Sequence, residues 1–143
     1  MSIREILDHK GVEVFFIPAA ASVRTAAGEM RAHNVASLVV KQSDRVVGVL
    51  SEHDLVNAIA RSGESALSAP VESVLSRILI TITSDDSIKH AMRLMTHHRV
   101  RHLLVIDGGK LTGIVSSGDV VKSRLQELEL ESNVLRDAYI AAH

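Results

Sequence analysis

Residues 17–57 recur at residues 82–122, in register at an offset of 65 and without a gap. Both copies close on the pattern G-h-h-S-x-x-D, where h is an apolar residue. The first ending is Gly48-Val49-Leu50-Ser51-Glu52-His53-Asp54 and the second is Gly113-Ile114-Val115-Ser116-Ser117-Gly118-Asp119. Twelve of the 41 aligned pairs are identical, including Ile17/Ile82, Ser22/Ser87, Met30/Met95, His33/His98, Gly48/Gly113 and Asp54/Asp119. Repetition on this scale fixes the architecture before any residue is read singly. It predicts two pseudo-two-fold-related halves, and with them two related sites in one chain.

Each copy carries the same succession of local signals. A β-rich run, Val12–Ile17 or Ile78–Ile82, leads into a small polar turn. Ser22 and Ser87 then stand where a helix N-cap belongs, because a serine oxygen can accept a first-turn N–H. Val23, Ala26, Ala27 and Met30, repeated as Ile88, Ala91, Met92 and Met95, have the i, i+3, i+4, i+7 spacing of a buried helical stripe. Two apolar runs follow, Leu38–Val40 and Val46–Leu50 around Gln42-Ser43-Asp44-Arg45. The second copy has Leu103–Ile106 and Leu111–Val115 around Asp107-Gly108-Gly109-Lys110, so both read as hairpins. A second helix begins near Ser51 or Ser116. Each repeat is therefore β-α-β-β-α, in an α/β (α+β) fold, and is too small to bury its sheet alone.

The chain divides into a first repeat with its lead-in (1–62), a linker (63–70), a second repeat (71–125) and a C-terminal extension (126–143). Gly63 is placed as the residue that stops a helix at the linker. The lead-ins Ile3–Leu7 and Val71–Leu75 resemble one another at a shifted offset. Beyond Asp119 nothing breaks a helix. Val121, Leu125, Leu128, Ser132, Leu135, Tyr139 and Ala142 keep heptad spacing there. This stripe either packs on its own domain or forms a seam with a second subunit, making a homodimer.

Composition removes several classes of function. With 16 Lys and Arg against 17 Asp and Glu, the net charge of −1 lacks the basic footprint of a duplex binder. Phe15, Phe16 and Tyr139 are the only aromatics, too few for a platform on which bases stack. No cysteine is present, so disulfides and thiolate metal sites are excluded. Met1–Asp8 lacks the apolar core of a signal peptide, and no apolar run reaches the ~18 residues of a membrane helix. A soluble, cytoplasmic chain is expected, with neither nucleic acid nor membrane as partner.

The S-x-x-D endings have two readings. Ser51 with Asp54, and Ser116 with Asp119, match a helix capping box. A glycine ending the preceding strand also lets the backbone pass close to another group. The carboxylate at the helix N-terminus could then accept both hydroxyls of a vicinal diol, such as the 2′- and 3′-OH of ribose.

The G-h-h-S-x-x-D endings, the strands Ser37-Leu38-Val39-Val40 and His102-Leu103-Leu104-Val105-Ile106-Asp107, and the Ala-x-x-x-Met helices together resemble tandem cystathionine-β-synthase (CBS) domains of the stand-alone bacterial type. The resemblance covers residues ~5–125. A proline often found in the family's hairpin strand is replaced here by Val39 and Leu104. What the resemblance implies is two repeats packed through their sheets. Adenosine-containing ligands would bind in the clefts, as regulatory ligands rather than required cofactors. One cleft would combine Ser51 and Asp54 with Leu79, Ile80, Arg101 and His102. The other would combine Ser116 and Asp119 with Ala21, Ala26, Val35, Ala36 and Ser37. Val49 and Ile114, of the two G-h-h endings, are counted with the nucleotide-binding set. AMP is expected first, with ATP, ADP, NAD(H) and S-adenosylmethionine as further candidates. Arg101 and His102 favour a 5′-phosphate in the Asp54 cleft, since Arg can grip phosphate oxygens bidentately. The matching Ala36 and Ser37 supply no charge.

No metal site is expected. His97 and His98 point about 100° apart on a helix rather than as i, i+4 ligands, and His33 and His98 suit a helix C-terminal turn. No nucleophile elbow, P-loop or dinucleotide fingerprint occurs, and Asp54 and Asp119 belong to separate clefts. A non-enzymatic nucleotide sensor acting on an unnamed protein partner is the leading expectation. The alternatives are a constitutive protein–protein or dimerisation module whose S-x-x-D motifs are caps only, and a small hydrolase or metalloprotein.

Overall fold

A computed structural model describes residues 1–75 and 79–142. Along the chain it places α1 (Ile3–Lys10), β1 (Phe16–Pro18), α2 (Val23–His33), β2 (Ser37–Gln42), β3 (Arg45–Ser51) and α3 (Glu52–Ser62). These are followed by β4 (Thr81–Ile82), α4 (Ile88–His98), β5 (His102–Asp107), β6 (Lys110–Ser116) and α5 (Ser117–Ala142). The mixed α/β fold and the β-α-β-β-α order of each repeat stand as expected.

The local signals act through identifiable bonds. Thr25 N–H donates to Ser22 Oγ at 3.1 Å and His90 N–H to Ser87 Oγ at 3.0 Å, so both serines cap their helices. Each sheet has three strands, β1-β2-β3 and β4-β5-β6, with a parallel first pair and an antiparallel hairpin. The turns are tighter than the four residues expected. Gln42 pairs with Arg45 and Asp107 with Lys110, leaving two-residue loops. Gly108 and Gly109 both take positive φ (57° and 77°), which suits a two-residue turn matched to strand twist. In the first repeat Ser43 takes the positive φ, 56°.

Three expectations need correction. The run Val12–Ile17 yields a strand only at Phe16–Pro18, because its parallel pairing spans just Val39–Lys41, and Val12 is exposed. The matching strand is Thr81–Ile82, and Ile78 lies outside the described residues. The helical stripes are also narrower than their spacing suggests. Val23, Ala26 and Met30 are buried but Ala27 is not; Ile88, Ala91 and Met95 are buried but Met92 is not. A helix lying on a three-stranded sheet covers a narrow strip, and the i+4 residue falls outside it in both copies.

The most informative difference concerns the lead-ins. Two compact units form, residues 13–79 and residues 1–12 with 80–143, so each lead-in docks on the repeat it does not precede in sequence. In the second unit Ile3 N–H donates to Asp86 O (3.0 Å) and Arg4 N–H to Ser84 O (2.9 Å). Val71 N–H to Ala21 O (2.8 Å) and Glu72 N–H to Ala19 O (3.1 Å) repeat the arrangement in the first. Ile3, Ile6 and Leu7 accordingly join the core of Ile82, Ile88, Ala91, Leu103, Val105 and Val115. Val71 joins that of Ile17, Val23, Ala26, Leu38, Val40 and Leu50. The linker is ordered too. Gly63 takes φ 64° after α3, and Gly63–Ser68 is a 3-10 helix that buries Ala66.

The glycine of the second ending has a packing role inside its unit. A Cβ at Gly113 would lie 2.7 Å from Leu7 Cδ2 and 3.3 Å from Cδ1, so a side chain there would force the buried Leu7 to shift. No helix among the described residues is long and apolar enough to cross a membrane. Gly113→Ala should lower stability by roughly 1–3 kcal/mol through overpacking, with most of that cost absent in a Leu7→Ala background. A thermal-denaturation double-mutant cycle checks this, and independent, additive losses would contradict the contact.

Candidate functional site

Each hairpin ends on a serine that also starts a helix, and the S-x-x-D segment closes that corner on itself. At the first corner Ser51 N–H donates to Asp54 Oδ2 at 2.9 Å, and Ser51 Oγ–H reaches the same oxygen at 3.1 Å. Asp54 N–H donates back to Ser51 Oγ at 3.2 Å. At the second, Ser116 N–H donates to Asp119 Oδ2 at 2.9 Å and Asp119 N–H to Ser116 Oγ at 3.2 Å. The capping-box reading is thus realised at both corners. Every one of these bonds to a carboxylate falls on Oδ2, which leaves Oδ1 outside the box. Both carboxylates are half-buried at a helix N-terminus, where the helix dipole favours a negative charge.

The start of each hairpin lies beside its own corner. Ser37 pairs with Ser51, and Glu52 N–H donates to Ala36 O at 3.0 Å. His102 pairs with Ser116, and Ser117 N–H donates to Arg101 O at 2.8 Å. Each corner is thus flanked by residues of its own repeat, the uncharged Ala36 and Ser37 beside Ser51, and Arg101 and His102 beside Ser116. Ala21, Val35, Val49, Leu79, Ile80 and Ile114 are half-buried. Ala26 is fully buried (0% exposed) in the first core, which makes it a packing residue rather than a ligand contact.

The residue that sequence reasoning missed is Lys10. At the last turn of α1, its Nζ donates to Asp119 Oδ2 at 2.7 Å and to Ile114 O at 3.0 Å. Burial pushes the Asp119 carboxyl up, but the Lys10 bond, the Ser116 N–H and the Lys10 charge outweigh it and hold the group below the usual carboxylate range. No local signal could reveal this pair, because 109 residues separate its members and the contact depends on the lead-in docking on the second repeat. A cavity of about 430 Å³ opens beside it, lined by His9, Lys10, Asp119, Lys122, Ser123 and Gln126 among others.

Three of the histidines, His33, His97 and His98, sit at helix C-termini. His33 and His98 both end their helices as expected. His33 stacks on Phe15 with ring centroids 3.9 Å apart and contacts Glu29 at 3.2 Å, and His97 and His98 meet edge to face at 4.8 Å. Among the described residues no group of three His, Asp or Glu side chains is placed to hold a metal ion.

Two three-stranded β-α-β-β-α repeats, each ending in a Ser/Asp corner, define a tandem CBS-domain protein. The CBS domain family model matches residues 3–61 and 71–125, and the chain belongs to that family. It is 36% identical over 124 residues to the mitochondrial CBS domain-containing protein CBSX3 of Arabidopsis thaliana, covering 83% of this chain but 60% of that protein. A CBS-domain containing protein from Agrobacterium tumefaciens superimposes with a TM-score of 0.81 at 35% identity, covering 86% of this chain and 92% of that one. The CBS domain pair of protein MJ0100, solved in complex with 5′-methylthioadenosine and S-adenosylmethionine, superimposes at 0.73 with 23% identity, covering 90% and 98%.

Lys10→Met should remove a partly exposed ion pair worth about 1 kcal/mol or less at neutral pH. Because the folded Asp119 carboxyl sits below its ordinary value, its stabilisation is present above about pH 3.9 and is lost as pH falls through the folded value. The melting-temperature gap between wild type and variant should therefore shrink on acidification. A gap that grows would contradict the pairing.

Proposed function

We propose that the protein is a regulatory module that binds adenosine-containing ligands through its Ser/Asp corners, with AMP first and ATP, ADP, NAD(H) and S-adenosylmethionine as further candidates. The observation that carries this reading is the repeated corner. Ser51/Asp54 and Ser116/Asp119 each present a half-buried carboxylate whose capping bonds fall on one oxygen, Oδ2. A ribose diol donates two hydrogen bonds, and a carboxylate fixed at a helix start is a pre-positioned acceptor for them. The methylthioadenosine and S-adenosylmethionine bound by the MJ0100 pair are ligands of this chemistry.

The corners differ in charge, and so should their ligands. Asp119 is already engaged by Lys10, whereas no lysine or arginine bond to Asp54 exists among the described residues. In the division of labour that the family resemblance implies, Asp54 holds ribose while Arg101 and His102 take the 5′-phosphate. The Asp119 side would favour adenosine-like or dinucleotide ligands. Regulation then means a shift between module conformations, limited by the ligand's differential affinity for them, and read by a protein partner.

A second reading has its own observation. Both boxes close entirely through their own Ser and Asp groups, as a constitutive interaction module whose S-x-x-D motifs serve only as caps would require. Thermal-shift titration separates the two. At ~100 times Kd a ligand adds about 2.7 kcal/mol of stability, so at least one adenosine compound should raise Tm clearly. Arg101→Ala should weaken AMP far more than adenosine. A flat response to every nucleotide sinks the sensor reading, and equal losses for AMP and adenosine sink the phosphate role.

A further inference from the structure

The exposed face of α5 carries an apolar stripe flanked by charged residues. The helix buries Val120 and turns Ser123, Arg124 and Glu127 towards its own unit, then runs on from 128 to 142 with every residue exposed. Leu125 is 56% exposed and Leu135 71%, with Val121, Leu128 and Tyr139 likewise exposed. A free helix of about 15 residues is marginal in water, and this stretch includes Ser132, Asn133 and β-branched Val134. A cost of that kind is offset when the stripe is covered.

Heptad assignment follows from the spacing. Leu125, Ser132 and Tyr139 occupy a positions, and Val121, Leu128, Leu135 and Ala142 occupy d positions. The flanking charges then fall at g (Arg124, Glu131) and e (Lys122, Glu129, Arg136). In a parallel in-register pair, each g residue faces the e residue five positions on in the other strand. That matches Arg124 with Glu129 and Glu131 with Arg136, opposite charges in both cases. The fully overlapped antiparallel arrangement instead sets Glu129 against Glu129, Glu131 against Glu131 and Lys122 against Arg136. Sliding it by a heptad relieves the repulsion but shortens the overlap of the apolar stripe. Arg124 donates through Nη1 to Glu127 at 3.3 Å, and its remaining N–H groups are enough for a second carboxylate.

We propose that α5 pairs with α5 of a second copy as a parallel, in-register coiled coil with its seam at Val121, Leu125, Leu128, Leu135 and Tyr139. The pairing is independent of any ligand at the Ser/Asp corners. Leu130, Val134 and Ile140 fall outside this seam and serve as controls.

The absence of native cysteine makes the test direct. Under mild oxidation of the purified full-length chain, Leu128→Cys should link almost completely into a covalent dimer, while Leu130→Cys stays uncross-linked. Added Arg136→Glu should suppress the link, and Glu131→Arg on top of it should restore it, because only parallel in-register strands pair those two positions. Circular dichroism confirms that each variant remains folded. Cross-linking that is equal at 128 and 130, a monomeric Leu128→Cys chain, or a charge swap that fails to restore the link would each overturn the proposal. An antiparallel pair fails the swap, and a seam that takes a different protein leaves the purified chain uncross-linked.

Discussion

The reciprocal serine–aspartate bonding at the end of each hairpin is the interaction on which the rest of the structure turns. The strand must end where Ser51 or Ser116 gives its N–H to a carboxylate three residues on, and the helix must begin there because the aspartate N–H returns the bond. This fixes the register of the hairpin against the helix that follows. It also holds an acidic group, half-buried and correctly oriented, at the helix start. The structural role of the motif therefore does not preclude the proposed ligand-binding one. A cap that consumes Oδ2 leaves Oδ1 outside the box, and a ligand bound at a rigid corner would cost little ordering entropy.

Symmetry is broken by what approaches the two corners. In the second unit α1 lies close enough to Gly113 that a methyl group would strike Leu7, and its last turn brings Lys10 onto Asp119. The N-terminus of α1 is fastened as well. Arg4 donates to Ser84 Oγ at 2.9 Å and to Asp85 at 2.7 Å, and Ser84 N–H donates to Asp107 at 3.0 Å, which satisfies the buried Ser84. In the first unit the short turn Val71–Ser73 occupies the equivalent berth, and among the described residues no lysine or arginine bonds to Asp54. One sequence pattern thus produces two chemically different corners.

What could be read from sequence divides by range. The N-caps Ser22 and Ser87, the hairpins and the S-x-x-D boxes are settled by residues within a few positions of each other, so their signals are complete in a short window. Burial of Ala27 and Met92 failed as an expectation because spacing gives the face of a helix but not the width of the strip its sheet covers. The exchange of lead-ins, the fit of Leu7 over Gly113 and the Lys10–Asp119 pair depend on long-range docking, which no local pattern encodes. The similarity of Ile3–Leu7 to Val71–Leu75 was the one trace of that exchange. It marks two segments doing the same job, each on the repeat it does not precede.

The account rests on a carboxylate that recognises a ribose diol, and discrimination between AMP and 2′-deoxy-AMP by calorimetric titration tests it most directly. Wild-type protein should bind the ribonucleotide more tightly. Asp54→Asn, which keeps an oxygen for the Ser51 cap but loses the charge, should bind AMP more weakly and lose most of that preference. Equal affinity of the wild-type protein for the two nucleotides, or a preference that survives Asp54→Asn and Asp119→Asn together, would contradict it.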